Sequence, residues 1–520
     1  MQRLANTPLL AGLPTNGFLE AWGAWLPANL HLVSNIQTSQ ISTDNLEFFS
    51  LITLAFVLYG ISALVIRYQL KEAKNTGIYF VLWVGAILVG LIFVFTPAML
   101  SRDLFVYADY GHTIVVHGAN PYFVPPGMGK YSGDVLTQID DWKMYIAAYG
   151  PLWLDICSLL ALLLGNIPWH YIFGFRLLGL AAHLLNILLI ILILRRAHCT
   201  GRTILLGAWL YAMNPLVLFE SSFGAHNDIF MATFLLLGIL LCMRAEQKGF
   251  THPANYIPPV VAFTLSALIK FTTIPLIIFF LVLLARKTLC STSMGTSRSQ
   301  KTAYIHVFLA SFICGLIMLV FYTPFWLGHT FKEIVHSFSL PPSAVFSENS
   351  LSRVFYGWIR KHGLPPQTSW AYLPVHLFSK HIVWNDLSVV VLVCTTAIGA
   401  IYLWRLPTTQ TLILAALASL GALLIVTPWF YSWYIIWVIA LAAAAFSLPD
   451  NRMRRALVGF ALTFSCTAFL TYMSNTIAPL GEWASFVQYT IIPGLPLLVF
   501  LILLNVKMTG SSLRSCQGAR

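Results

Sequence analysis

At 520 residues, the chain is 58% hydrophobic and only 9% charged, which excludes an ordinary soluble domain, where about a quarter of residues are charged. A formal charge of +12 would suit a nucleic-acid binder, but the Lys and Arg residues fall in short stretches between long apolar runs and so report membrane topology instead. Cysteines 157, 199, 242, 290, 314, 394, 466 and 516 show neither close pairs nor metal-ligand spacing, so no disulfide framework and no zinc site are expected.

Many apolar runs reach the length of about 20 residues that crosses a bilayer as a helix, and a helix satisfies its own backbone in lipid. The predicted fold class is an all-α polytopic membrane protein of roughly 11 to 13 transmembrane helices. Residues 1–47 carry Arg3 but are broken by Pro8, Pro14 and Pro27 before any long apolar core. They read as an extracytoplasmic or interfacial arm and not as a cleavable signal peptide. Residues 48–506 form the transmembrane domain. Residues 507–520, with Lys507, Arg514 and Arg520, form a cytoplasmic tail.

The first predicted spans are 48–66 and 78–97, joined by a cytoplasmic loop that carries Arg67, Lys71 and Lys74. A first external loop, about 99–170, then holds Asp103, Asp109, Asp134, Asp140 and Asp141. Its run 151–165 is only about three-quarters of a spanning length. If that run crossed, Arg195, Arg196 and Arg202 would lie outside, so it is expected to rest on the outer surface or dip in and return. Spans 171–194, 203–219 and 229–243 follow, which puts the turn 220–228 on the same face as Asp103.

Run 257–285 is long enough to cross once, yet Arg286, Lys287, Arg298 and Lys301 would then be external. Two short helices hinged at 270–275 keep them inside, and such breaks at membrane depth line protein or a wet cavity. Span 304–325 leads to a second external loop, about 327–385, with Lys332, Glu333, Glu348 and Arg353. After spans 387–404 and 409–426, the aromatic stretch 429–434 reads as a membrane-interface anchor with a minor substrate role. Three further spans place Arg452, Arg454 and Arg455 inside and Glu482 outside. Although fitted to Lys and Arg alone, this map leaves only Glu72, Glu246 and Asp450 among the acids inside, so the working face is extracytoplasmic.

Asp103 follows the apolar run 78–100 directly, with Tyr107 and Tyr110 on its helical face. A carboxylate at the membrane boundary is best tolerated when it functions, and the reading favoured here is a catalytic base. An N-cap or interfacial acid is the alternative. Asp109 and Asp141 read as surface acids. In the run His226-Asn227-Asp228, an imidazole, an amide and a carboxylate stand ready to hold hydroxyls or orient a catalytic group. Asn227 or Asp228 would equally suit as the cap of a helix beginning at Ile229. Lys270 and Arg176 interrupt apolar runs, where an unpartnered charge is costly.

The pieces Arg102-Asp103, Gly118-Ala119-Asn120-Pro121-Tyr122, Tyr149-Gly150-Pro151-Leu152, His226-Asn227-Asp228, Ile269-Lys270 and Pro428-Trp429 through Trp433-Tyr434 together resemble the GT-C glycosyltransferases. The likeness spans roughly residues 78–434 and is nearest to bacterial polyprenyl-phosphate-mannose-dependent mannosyltransferases, more distantly to lumenal glucosyltransferases of lipid-linked oligosaccharide assembly. It implies a general base at Asp103 and an external short helix after Tyr149. It further implies substrate contacts from His226, Asn227, Asp228, Tyr107, Tyr149 and Arg102.

The donor implied is a polyprenyl-phosphate sugar, mannose favoured, with Lys270, Arg353 and Arg176 the candidates for its phosphate, joined by Arg102. Solvated loop charge is the other reading of Arg353. The acceptor would be a lipid, glycan or protein at the outer face of a bacterial cytoplasmic membrane. The family's monophosphate users need no divalent ion, so neither a metal nor another cofactor is expected. Two other classes stand beside this one. A secondary transporter would show paired repeats, which are not visible here, and a protein that binds or flips lipid-linked glycans would share most of these features.

Overall fold

The computed structural model of the chain describes residues 43–68, 76–96, 100–128, 132–291, 297–339, 341–342, 346–473 and 482–506. Of the expected arm, residues 1–42 lie outside these, as does the whole tail 507–520. Where the sequence is continuously apolar, the backbone can bond only to itself and forms α-helix. Among the described residues, nine helices are long and apolar enough to cross a membrane, and a bent pair makes a tenth. Strand-like pairing among them is limited to an isolated bridge between Glu348 and Trp429.

Helices α1 (Thr43–Tyr68) and α2 (Thr76–Phe95) open the bundle. The first expected external loop is itself helical, with α3 (Asp103–Val115), α4 (Val135–Ile139) and α5 (Pro151–Leu164). Pro151 starts α5, where its missing N–H is no loss, and Gly165 ends it at a left-handed φ of 63°. At 14 residues α5 is short of a span. It lies so close along α3 that Gly111 leaves no room for a Cβ against the Cys157 carbonyl.

Helix α6 (Pro168–Arg196) is a full span. Helices α7 (Gly201–Ala212) and α8 (Pro215–Ser222) form one span bent by 52°. The bend follows from Asn214 and Pro215, for the Asn side chain accepts from the Leu216 and Val217 amides and the proline begins a new helix. Then come α9 (Asp228–Lys248), α10 (Pro253–Ile269) and α11 (Ile274–Ser291). After α12 (Ser297–Trp326), the second external loop holds α13 (Phe331–Ser337), α14 (Leu351–His362) and α15 (Tyr372–Phe378). The chain closes with α16 (His381–Arg405), α17 (Thr409–Val426), α18 (Ile435–Ala444), α19 (Arg452–Ala468) and α20 (Glu482–Asn505).

Buried apolar faces of α6, α9, α10, α17 and α18 form the core, while α1, α12 and α16 expose Leu, Ile, Val and Phe along their lengths, as lipid-facing helices do. Helix α9 works as a gauge of direction. Asp228 at its start pairs with Lys270 at 2.8 Å, and Glu246 near its end pairs with Lys287 at 2.8 Å. The chain must therefore climb in α10 and descend in α11. The reversal falls at Lys270, whose backbone is extended (φ −152°, ψ 122°), followed by the 3₁₀ turn Phe271–Thr273. Pro275 cannot donate to a helix continuing from α10, so the break lies where the charge pattern required one.

Basic residues gather at the Glu246 end of the bundle. There Arg202 donates to the Arg67 carbonyl, Gln247 to that of Arg196, Arg286 to that of Trp404, and Arg454 and Arg455 to Asp450. The opposite end collects Asp103, Asp228 and Lys270 around one cleft.

Candidate functional site

Asp103 is the first residue of α3, behind Arg102 at the N-cap position, where no side chain caps. The Asp103 amide donates to the Ser101 hydroxyl at 3.2 Å. The Asp103 carboxylate is thus not a cap, and it lines a cleft together with Tyr110, Tyr149 and Lys270. Trp429, Tyr431, Trp433 and Tyr434 line the same cleft as an aromatic wall. Burial lifts the Asp103 carboxyl to about 7, against the pull of the Lys270 charge.

The turn 220–228 places Glu220, His226, Asn227 and Asp228 behind this cleft. Ala225 adopts a left-handed φ of 55°, a conformation uncommon outside glycine, and it returns His226 toward Glu220. A Cβ on Gly224 would collide with the His226 ring and the Glu220 carboxylate, so glycine there permits the approach. His226 is fully buried and stacks on Trp433 with ring centroids 3.7 Å apart. Its Nδ1 lies 3.7 Å from Asp103 Oδ2 and its Nε2 3.4 Å from Glu220 Oε2, neither in hydrogen-bond geometry. Burial holds the imidazole well below its usual range, and the Lys270 charge pushes the same way, so His226 is neutral. Glu220 Oε1 accepts from the Ser432 hydroxyl at 2.6 Å and from the Tyr472 hydroxyl at 2.9 Å.

Asn227 occupies the N-cap position of α9 but makes no capping bond. Asp228 spends Oδ1 on Lys270 Nζ at 2.8 Å and Trp437 Nε1 at 2.5 Å. The capping reading of this motif does not hold for either residue. The Asn227 amide and Asp228 Oδ2 are buried without hydrogen-bond partners, which is uncommon for native polar groups. Lys270 Nζ sits 3.9 Å from the Tyr434 ring centroid and 5.0 Å from that of Trp437. Such cation–π contacts steady a cation in a partly dry site.

Other expected residues stand elsewhere. Tyr107 is buried behind the cleft wall, with ring centroids 5.2 Å from Tyr149 and 5.0 Å from Trp153. Arg176 lies away from the cleft, fully buried, its guanidinium donating to the carbonyls of Phe93, Val94 and Thr96 at the end of α2 and of Phe223 after α8. Arg102 pairs with Asp141 at 3.2 Å. Arg353 binds Glu348 at 2.6 Å, and the Glu348 backbone is bridged to residues 428–430 beside the cleft.

Asp109 corrects the expectation of a surface acid. It is fully buried and accepts from the Thr137 hydroxyl at 2.7 Å, and burial raises its carboxyl. The docking of α4 against α3 encloses it. The aromatic stretch 429–434 also proves to be more than an interfacial anchor, because it forms a cleft wall. Glu220, fully buried beside His226, had one signal in the sequence, an acid ending an apolar run ahead of a Gly-containing turn. Among the described residues, one group could hold a metal ion: His112, His117 and Asp134, near the far end of α3.

Residues 15–286, just over half of the chain, match a family model described as alpha-(1->6)-mannopyranosyltransferase, N-terminal domain. The chain is similar to alpha-(1->6)-mannopyranosyltransferase A of Corynebacterium glutamicum, 26% identical over 155 residues, which are 29% of this chain and 30% of the relative. It is equally similar to the protein of the same name from Mycobacterium tuberculosis, 26% identical over 171 residues, 32% of this chain and 30% of that one. The matched stretch thus spans under a third of each relative's length. The solved structure of the archaeal oligosaccharyltransferase AglB from Archaeoglobus fulgidus, in complex with an inhibitory peptide and a dolichol-phosphate, aligns with a TM-score of 0.36 at 12% identity, over 83% of this chain and 56% of that one.

Proposed function

Since this chain belongs to the alpha-(1->6)-mannopyranosyltransferase family, we propose that it transfers mannose, with inversion, from a polyprenyl-phosphate donor to a hydroxyl of a lipid, glycan or protein acceptor. The reaction takes place at the extracytoplasmic face of a bacterial cytoplasmic membrane. The observation that carries this reading is a single cleft lined by both a carboxylate, Asp103, and an ammonium group, Lys270.

In the step, the acceptor oxygen attacks the anomeric carbon as Asp103 takes its proton. The bond from that carbon to the phosphate oxygen breaks, and its electron pair leaves with the polyprenyl phosphate. A base titrating at about 7 is matched to that task, since a general base works best with a pKa near the operating pH. Lys270 has three donors and gives one to Asp228, which leaves charge for the departing phosphate, where stabilisation is needed. Arg353, tied to Glu348 at the edge of the same wall, is a second phosphate candidate. His226 lies between the carboxylates of Asp103 and Glu220, at 3.7 and 3.4 Å. Asn227 and Asp228 offer polar groups to the sugar or acceptor hydroxyls, with Tyr149 at the wall and Arg102 beside the base. Residues 48–506 form the catalytic membrane domain, with loops 99–170 and 327–385 over the cleft, between the arm 1–47 and the tail 507–520.

The test is incubation of the purified full chain with radiolabelled polyprenyl-phosphate mannose and membrane lipid extract. Label should pass to a non-donor product. Absence of transfer from that donor, and from its glucose and galactose counterparts, would overturn the reading.

A further inference from the structure

Near the end of α3 away from Asp103, two imidazoles and a carboxylate point at one place. We propose that His112, His117 and Asp134 form a binding site for a divalent transition-metal ion, with Zn²⁺ the best match.

His112 Nδ1 lies 2.7 Å from Asp134 Oδ2, and His117 Nε2 lies 2.9 Å from the same oxygen. All three donor atoms fall within 4.8 Å of one another. Nitrogen and oxygen ligands about 2.0–2.2 Å from one ion stand about 3 Å or slightly more apart, so only a small relaxation separates this arrangement from coordination. The contact of His112 Nδ1 is short but lacks the alignment of a hydrogen bond. That is the geometry of two ligands converging on a third point instead of on each other.

Surrounding bonds prepare the same chemistry. His112 Nε2 faces Asn166 Oδ1 at 2.9 Å, which sets the proton on Nε2 and leaves the Nδ1 lone pair toward Asp134. Two electron-rich atoms at 2.7 Å repel unless a cation or proton lies between them. Ligating histidines almost always give their other N–H to such an acceptor. Asp134 Oδ1 accepts from the Leu136 amide at 2.9 Å as the N-cap of α4, which fixes the carboxylate, while Oδ2 is hydrogen-bonded to His117 Nε2 at 2.9 Å, a bond that an ion held by both atoms would replace. The chain turns at Gly118, φ 60°, just beyond His117, whose amide bonds the His112 carbonyl.

Imidazole pairs disfavour Mg²⁺ and Ca²⁺, which take oxygen ligands, and suit Zn²⁺, Co²⁺ or Ni²⁺. His112 is buried, whereas His117 and Asp134 are partly exposed, so an ion has a way in. The cysteine pattern could not reveal this site, because its ligands are histidine and aspartate from two elements. Nine positions, or roughly 14 Å of helix, separate His112 from Asp103. The ion is therefore a clip that fastens α3 to the segment leading into α4, not a participant in transfer.

The test uses the full chain purified in detergent, stripped with a chelator and dialysed against buffered micromolar Zn²⁺. Metal content is read by mass spectrometry and thermal stability is followed alongside. About one equivalent of Zn²⁺ should remain bound, raise Tm, and be replaceable by Co²⁺ with visible ligand-field absorption. His117→Ala and Asp134→Asn should each lose that equivalent, and the Asn variant keeps an oxygen able to cap α4, so its fold survives, as circular dichroism would show. Asn166→Ala should weaken Zn²⁺ binding about 10- to 100-fold. No retained Zn²⁺ in the wild type, or equal content in wild type and both ligand variants, would leave a hydrogen-bonded cluster only and overturn the site.

Discussion

Lys270 Nζ and Asp228 Oδ1 stand 2.8 Å apart although 42 positions separate the two residues in the chain. Asp228 is fully buried and Lys270 nearly so. The pair joins the break after α10 to the start of α9, so the cation proposed to meet the donor phosphate is also part of the frame. The two roles can be separated. Lys270→Ala leaves a buried carboxylate uncompensated and should destabilise the protein by about 3–5 kcal/mol. Lys270→Met combined with Asp228→Asn removes both charges and should regain much of that stability, as replacing a buried pair together often does. Donor use should not return with it, since losing one stabilising group at a developing charge costs about a hundredfold in rate. Thermal unfolding and single-turnover transfer on the same preparations check this. A double variant that recovers both properties would remove Lys270 from the phosphate.

Asp103→Asn keeps the side chain's size. No capping bond is at risk, because the Asp103 carboxylate does not cap α3. The variant should insert, fold and bind donor normally while transfer falls by about 10² to 10⁴. Donor affinity and transfer rate, measured together, decide the assignment. Near-wild-type transfer would sink it and direct attention to Asp228.

Because burial lifts the Asp103 carboxyl to about 7 in the folded chain, the proposed base would be mostly protonated and idle below that pH. kcat/KM should rise as pH climbs through about 7, and the rising limb should vanish in Asp103→Asn. Stability runs the other way. A carboxyl raised on folding adds stability that is complete below its ordinary value of 3.8 and is lost as pH rises through about 7. Tm should therefore fall over the interval in which activity grows, and less steeply in the Asn variant. A flat rate profile between pH 6 and 8 would contradict the base role.

Topology is open to labelling. Single cysteines at Ser132 and Gly201, in a background cleared of native thiols, should react with an impermeant reagent from the outside and the inside respectively. Ser132 belongs to the segment between α3 and α4, and Gly201 opens α7 at the bundle end where Arg202 meets Arg67. External labelling of Gly201 would invert the map.

Much of the fold was legible in the sequence because burial in lipid imposes one rule, that apolar runs become helices, and because Lys and Arg say which ends go together. The break at Lys270 and the short α5 both followed from that rule. Asp103 and Lys270 were legible for a related reason, since a charge beside or within an apolar run demands an account. Arg176 met the same criterion and went elsewhere. Its guanidinium serves the carbonyls at the end of α2, which lie more than 75 positions away in the chain, and sequence spacing does not encode such a meeting. The contact of Glu220 with the 429–434 wall was not legible, because the two meet only in three dimensions. The Ser432 hydroxyl reaches Glu220 across 212 positions. Asp109 looked like a solvated acid because nothing local announces that α4 folds over it.

The two ion pairs along α9 also set a depth. From Lys270 to Lys287 the chain advances seventeen positions, roughly 25 Å of helix rise, while the hydrocarbon layer is about 30 Å thick. With Lys287 at one boundary, Lys270 lies about 5 Å inside the other, just beneath the headgroup layer. If the donor is the proposed polyprenyl phosphate, its headgroup needs to dip only slightly to meet Lys270, and it arrives by sideways diffusion within its leaflet without being lifted into water. Occupancy of the cleft by such a donor would be governed by how many donor molecules share each unit of membrane area, and changing the aqueous volume on that side would leave it unchanged.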